Sequence, residues 1–65
     1  MDQAKKLPMA FRVQKYLRGL RYPARKTQAV WHAFERDADE EVIAVLMRLP
    51  ERVYDSPISL ARSLQ

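Results

Sequence analysis

The strongest candidate for a chemical function in this sequence is a set of basic side chains near the N-terminus. Residues 1–26 carry eight Lys and Arg against one Asp, a charge of +7, whereas residues 27–65 carry four Arg against seven Asp and Glu, a charge of −3. Cationic side chains that neutralise phosphates bind DNA or RNA with little sequence preference. The asymmetry favours such binding, unless these charges only form a solvated helix face. The candidate polyanion-binding residues are Lys5, Lys6, Arg12, Lys15, Arg18, Arg21, Arg25 and Lys26.

Aromatic residues near the basic set support two different functions. In a nucleic-acid complex, Tyr22 or Trp31 would stack on exposed bases. In the alternative, Phe11, Trp31 and Met47 lie outside a four-helix core and are buried by a partner, because aromatic residues and methionine are enriched in interface cores. That alternative is a protein–protein interaction module or a homo-oligomeric structural domain. A small domain also exposes some apolar side chains without any function.

The remaining polar residues do not form a catalytic pattern. His32 is the only histidine and cysteine is absent, so nucleophilic triads and thiolate zinc sites lack members. A single glycine is too few for a phosphate-binding loop. The acidic cluster lacks the ligand spacing of a calcium loop, and helix capping explains it; it consists of Asp37, Asp39, Glu40 and Glu41. We therefore predict a protein that is not an enzyme and has no cofactor, metal or small-molecule substrate.

Length and composition predict a single small domain spanning residues 1–65. The 48% hydrophobic content is normal for a globular protein, and no disulfide can form. No run of about 18 apolar residues is present, so a membrane span is not expected, and the default compartment is the cytoplasm. Residues 1–7 are expected to be disordered.

The spacing of apolar residues between the single glycine and the four prolines predicts an all-α fold. Four short helices fit, at roughly 8–18, 26–36, 40–49 and 57–64. Pro8 suits the first turn of the first helix, and Gly19 can adopt the left-handed conformation just after its end. The wheel of this helix directs Met9, Val13, Tyr16, Leu17 and Leu20 inward and Arg12, Lys15 and Arg18 outward.

The middle of the chain predicts two helices joined by a short acidic turn. Pro23 pushes the residue before it out of the helical conformation, and the second helix then directs Val30, Ala33 and Phe34 inward, with Trp31 at the border. Asp39 is expected to cap the third helix, which is the most apolar and central of the four. Because its first residues are acidic, phosphates would repel it, which argues against a helix-turn-helix recognition helix.

The segment LPERVYDSP, residues 49–57, predicts a corner between the last two helices. Leu49 is the last apolar residue of the third helix, and Pro50 ends that helix. Ser56 and Pro57 form a typical N-cap and first-turn pair at the start of the fourth helix. Tyr54 is expected to fix the intervening chain onto the core.

Several short motifs, taken in order, resemble a known family. They are YPA at 22–24, His32–Ala33, ADEEV at 38–42, and LP, Arg, Tyr and Ser-Pro within 49–57. Together they resemble a small bacterial family of uncharacterised domains, domain of unknown function 2795 (DUF2795), over about residues 12–64. The resemblance implies a small helical fold and no assigned activity. It also favours a structural role for His32, whose ring we expect to hydrogen-bond near the 49–57 corner or at a neighbouring helix end.

Two departures from the family pattern concern the second helix. The family usually has a Ser or Thr cap followed by acidic residues after YPA, whereas this chain has Arg25, Lys26, Thr27 and Gln28. The missing capping oxygen is expected to cost about 1 kcal/mol. Trp31 and Phe34 stand where the family more often has polar residues. If they are exposed, this chain has an unusual aromatic and basic surface.

Overall fold

Four helices and one pair of very short strands make up the computed structural model, which describes residues 7–64. The all-α class is confirmed, and each helix end lies within two residues of its predicted position. Disorder was expected for residues 1–7, and residues 1–6 of this segment lie outside the described residues. The elements are α1 Met9–Leu17, β1 Ala24–Arg25, α2 Lys26–Glu35, α3 Glu40–Met47, β2 Val53–Tyr54 and α4 Pro57–Arg62. None of the helices within residues 7–64 is long and apolar enough to cross a membrane.

The ends of α1 and α2 depend on left-handed backbone conformations. Gly19 has φ +89° just after α1, as predicted, while Pro8 is the N-cap residue and not part of the first turn. Asp37, with φ 57°, has a left-handed conformation just after α2. The following amide, that of Ala38, donates to the Ala33 carbonyl at 3.1 Å, which satisfies a carbonyl group in the last turn of α2.

The start of α2 compensates for its missing cap. No side-chain oxygen of Arg25 is available, as the sequence indicated, but Gln28 Oε1 accepts a hydrogen bond from the Arg25 amide at 2.7 Å. This contact is one half of a capping box, formed from the third residue of the helix back to its N-cap. The sequence around YPA therefore still begins a helix at Lys26.

The two strands form a short antiparallel pair that was not predicted. Ala24 lies opposite Tyr54, and Arg25 lies opposite Val53. Two residues per strand are too few to give a recognisable alternation in the sequence. The pairing holds the chain before α2 against the corner between α3 and α4.

The predicted corner at residues 49–57 is confirmed. Tyr54 is fully buried, and its hydroxyl donates to the Pro50 carbonyl at 2.7 Å. At the start of α4, Ser56 Oγ accepts from the Ser59 amide at 3.1 Å, and Pro57 occupies the first helical position. Both prolines therefore stand where a helix ends or begins.

The core lies where α1, α2 and α3 meet and extends to α4. One inward prediction is wrong, because Phe34 is exposed by 61%. Met47, which the protein-interaction alternative places outside the core, is 59% exposed. Helix α2 instead buries Ala29 and Ala33, whose small side chains form one line at i and i+4 and turn Phe34 away from the core. The buried cluster consists of Val13, Leu17, Ala29, Ala33, Val42, Leu46, Leu49, Tyr54 and Leu60.

Candidate functional site

One face of α1 combines an exposed aromatic ring with basic side chains. Residues 11, 14, 15 and 18 follow the i, i+3, i+4, i+7 spacing of a single helix face. Together with Leu7 they line a shallow concavity of about 480 Å³. We call this surface the α1 outer face; it consists of Leu7, Phe11, Gln14, Lys15 and Arg18.

The α1 outer face is held in place by α4 and presents its ring to solvent. Gln14 Nε2 donates to the Pro57 carbonyl at 3.0 Å, which joins the middle of α1 to the start of α4. Phe11 is 66% exposed. An exposed ring on a fixed helix is a suitable platform for stacking with a planar group.

The cations of this face remain available for an anionic ligand. Among residues 7–64, no carboxylate forms an ion pair with Lys15 or Arg18. Lys15 Nζ lies 5.4 Å from the centroid of the Tyr16 ring, a cation–π contact that leaves its charge uncompensated. Both side chains are exposed.

His32 has the structural role that was expected. Its Nε2 lies 2.9 Å from the carbonyl oxygen of Arg18, at the end of α1. A carbonyl oxygen only accepts, so the ring donates this hydrogen bond through Nε2. The bond fixes the end of α1 against α2 and so positions the Arg18 backbone.

Further cations lie on the chain that leaves α1. Arg21 and Arg25 are exposed, as predicted.

Arg36 was not predicted as a site residue, yet its Nη2 lies 3.5 Å from the position that a β-carbon on Gly19 would occupy. The signal that could have found it is its spacing of four residues from His32, which was expected near a helix end.

The prediction that Arg12 belongs to an outer basic stripe is wrong. Arg12 is only 5% exposed, and its Nη2 donates to Asp39 Oδ2 and to Glu41 Oε1, each at 3.0 Å. These hydrogen bonds, first that to Asp39 and then that to Glu41, raise the pKa of Arg12 above its ordinary value. The residue joins α1 to the start of α3, because the side of α1 that carries it packs against that helix.

The same contact corrects the role of Asp39. It occupies the N-cap position of α3, as predicted, but its side chain forms no capping hydrogen bond and pairs with Arg12. Across the part of the chain that the structure describes, no three His, Asp or Glu side chains are arranged to hold a metal ion.

Four other candidates are less available than expected or lie outside the described residues. Lys26, expected on the outside, has a side chain only 17% exposed and places Nζ 3.5 Å from Glu51 Oε1. Tyr22 is partly buried against the core, which removes much of its face from stacking. Lys5 and Lys6 lie outside the described residues.

The hydroxyl of Tyr22 gives a test of the packing at this corner. It is buried without a hydrogen-bond partner among residues 7–64, so Tyr22→Phe is expected to change the free energy of unfolding by no more than about 1 kcal/mol, in the stabilising direction. The matched Tyr54→Phe loses a real bond to Pro50 and should destabilise by about 1 kcal/mol. Urea unfolding followed by circular dichroism measures both; equal losses would contradict the assignment.

The free energy of unfolding at alkaline pH depends on the pKa of Tyr22. Burial raises this pKa above its ordinary value of 10.0, because the charged form loses solvation. The folded state therefore holds the phenolic proton more tightly than the unfolded state. This stabilisation is complete below pH 10.0 and is lost as the pH rises through the folded-state pKa. Tyr22→Phe should remove that part of the alkaline decline.

A second exposed surface lies on the side of α2 and α3 away from the core. Trp31 is 63% exposed and contacts Phe34 edge to face, with ring centroids 5.7 Å apart. Both aromatic rings therefore lie at the surface, although Phe34 was expected to face inward. We call this surface the α2–α3 apolar face; its side chains line a hollow of about 270 Å³ and are Val30, Trp31, Phe34, Ile43 and Met47.

Comparison with protein families agrees with the motifs and the helical arrangement. A family model described as protein of unknown function (DUF2795) matches residues 8–61. The chain belongs to this family. The DUF2795 match covers the first three helices, both strands, the corner at residues 49–57 and all of α4 except its last residue. Comparison with curated proteins and with solved structures found no significant match.

Proposed function

We propose that this DUF2795 chain is a non-enzymatic domain that binds nucleic acid with weak sequence preference through its α1 outer face. The observation that carries the proposal is the concavity in which the exposed ring of Phe11 lies beside Lys15 and Arg18. Cations beside an aromatic platform suit a single strand, because its phosphates attract the cations and its unpaired bases can stack on the ring. We therefore propose single-stranded DNA or RNA as the preferred form.

The positions of the other cations support an extended contact. From Phe11 to Arg18 the helix advances about 10 Å, and Arg21 and Arg36 lie at or beyond its end. Four such phosphate contacts correspond to a slope of about −3 in a plot of log affinity against log salt. The acidic start of α3 argues for binding through α1, because Glu40 and Glu41 would face phosphates if α3 entered a groove.

The proposal also includes a location. A nucleic-acid-binding role favours the bacterial cytoplasm, where DNA and RNA are present. The sequence contains no cysteine, so nothing in the domain depends on an oxidising compartment.

A charge-reversal experiment tests this function. Lys15→Glu combined with Arg18→Glu is expected to weaken binding to a labelled single strand of roughly twelve nucleotides by at least about 30-fold and to reduce the salt slope by about 1.4. Fluorescence anisotropy between about 50 and about 200 mM salt measures both quantities. Phe11→Ser should weaken single-strand binding about tenfold and duplex binding much less.

The matched control changes the same charge elsewhere. Arg48→Glu combined with Arg62→Glu also reverses two exposed basic charges, and Arg48 lines a separate surface with Leu49 and Leu64. It should reduce affinity only through the change in net charge. Equal losses in the two double variants, or no binding at about 50 mM salt, would exclude the α1 outer face as the site.

A further inference from the structure

The α2–α3 apolar face has the composition of an interface core. Trp31, Phe34 and Met47 are each about 60% exposed, and tryptophan, phenylalanine and methionine are enriched at the buried centre of protein interfaces. The edge-to-face contact of the two rings holds them in a defined arrangement before any partner binds. The sequence places these large side chains at solvent, while alanines occupy the buried line of α2.

The shape of this face allows it to pair with itself. The exposed ring of Trp31 stands beside the hollow floored by the partly buried Val30 and Ile43. A two-fold axis brings identical patches together, so that any contact from one feature of the first copy to a different feature of the second is formed twice, once in each direction. A ring and a hollow on one patch therefore permit reciprocal insertion, with the ring from each copy entering the hollow of the other.

The charges at the two ends of the face fix the direction of the pairing. Lys26 and Glu51 adjoin one end, where they line a second hollow with Thr27, Trp31 and Met47. At the other end, Glu40 lies on the same line of α3 as Ile43 and Met47, with i, i+3, i+7 spacing. An antiparallel arrangement places Glu40 of one copy beside the Lys26–Glu51 ion pair of the other, whereas a parallel one places Glu40 against Glu40, with like charges together.

The exposed area agrees with a weak dimer. Aromatic side chains bury about 150–250 Å² each, so the exposed parts of Trp31, Phe34 and Met47 supply roughly 350 Å² per copy. With the flanking residues, a symmetric pair would bury about 1,000 Å² in total, the lower limit of specific interfaces. We propose that the α2–α3 apolar face binds the same face of a second copy of this chain, in an antiparallel dimer with two-fold symmetry.

Sedimentation equilibrium of the full chain without nucleic acid tests this pairing. We expect reversible dimerisation between about 1 µM and about 1 mM protein, with a dissociation constant on the order of 10–100 µM. Emission from Trp31, the only tryptophan, should shift to shorter wavelength over the same range. Met47→Glu should raise the dissociation constant at least about tenfold. The control Ile58→Glu, at a 66% exposed position on α4, should leave it unchanged.

A charge exchange tests the direction. The test uses a Glu51→Gln background, which removes the partner of Lys26 within the same copy. In this background Lys26→Glu and Glu40→Lys should each weaken the dimer about threefold, and the two changes together should restore it to within about twofold. Circular dichroism confirms that each variant is folded. A chain that remains monomeric at about 1 mM overturns the proposal and assigns the face to a different protein. Equal effects of Met47→Glu and Ile58→Glu also overturn it, and failure of the exchange to restore the dimer excludes the antiparallel arrangement.

Discussion

Replacing Tyr54 with alanine is expected to lower the free energy of unfolding by about 3–5 kcal/mol. The side chain is fully buried, its hydroxyl bonds the Pro50 carbonyl, and the Arg52 guanidinium lies 5.5 Å from the centroid of its ring. Deleting it leaves a cavity where β2 meets the core and frees the corner between α3 and α4. A domain of this size has little stability in reserve, so thermal and urea unfolding should show a largely unfolded population.

The neighbouring residue supplies the control. Val53 lies in the same strand but is 44% exposed, so Val53→Ala should cost less than about 1 kcal/mol. Similar losses for the two variants would show that strand pairing, and not burial of the Tyr54 ring, stabilises this corner. A Tyr54→Ala protein of normal stability that fails only to bind nucleic acid would instead make Tyr54 a binding residue.

The corner was predictable because its signals are local. Proline at position 50 ends a helix by its own geometry, and Ser56 followed by Pro57 begins one through a hydrogen bond between residues three apart. These rules depend on neighbours along the chain and not on which other helix lies nearby. The same holds for Gly19, whose conformational freedom ends α1 whatever packs against it. The sequence analysis also placed Lys15 and Arg18 correctly on the outside of α1, but it assigned Phe11, which shares their face at i, i+4, i+7 spacing, to a contact with a protein partner.

The errors concern residues at the border of a helix face. Arg12 lies 100° from the buried Val13 on the wheel of α1, and Phe34 has the same relation to Ala33 in α2. Periodicity cannot decide whether such a residue is covered, because the answer depends on where a neighbouring helix packs. Helix α3 covers Arg12, and nothing within residues 7–64 covers Phe34. Arg36 was missed because it lies in the acidic half of the sequence and approaches α1 only in the folded chain.

Reversing the charge of Arg12 is the second change with a large expected effect. Arg12→Glu puts a third carboxylate at a position that is 5% exposed, in place of a guanidinium whose Nη2 lies 3.0 Å from one oxygen of Asp39 and one of Glu41. The new carboxylate is repelled by both acidic side chains, and its low exposure reduces the screening of that repulsion by water. We expect the melting temperature to fall by more than about 10 °C, with loss of the contact between α1 and α3, measured by circular dichroism.

A neutral substitution separates repulsion from the loss of the ion pairs. In Arg12→Met the Glu41 side chain, 67% exposed, and the Asp39 side chain, 29% exposed, can each gain water in place of the guanidinium. Methionine also fills much of the volume of the arginine stem. The melting temperature should therefore fall by less than about 5 °C.

The two faces of α1 can then be told apart by one further variant. Lys15→Glu, three residues along the same helix but exposed, should leave the melting temperature nearly unchanged while weakening nucleic-acid binding. If Arg12→Glu instead folds normally and loses only nucleic-acid binding, Arg12 faces the ligand and the contact with α3 is not formed in solution. If it unfolds as expected, charge reversals that include Arg12 cannot test binding, because they remove the fold that presents Phe11, Lys15 and Arg18.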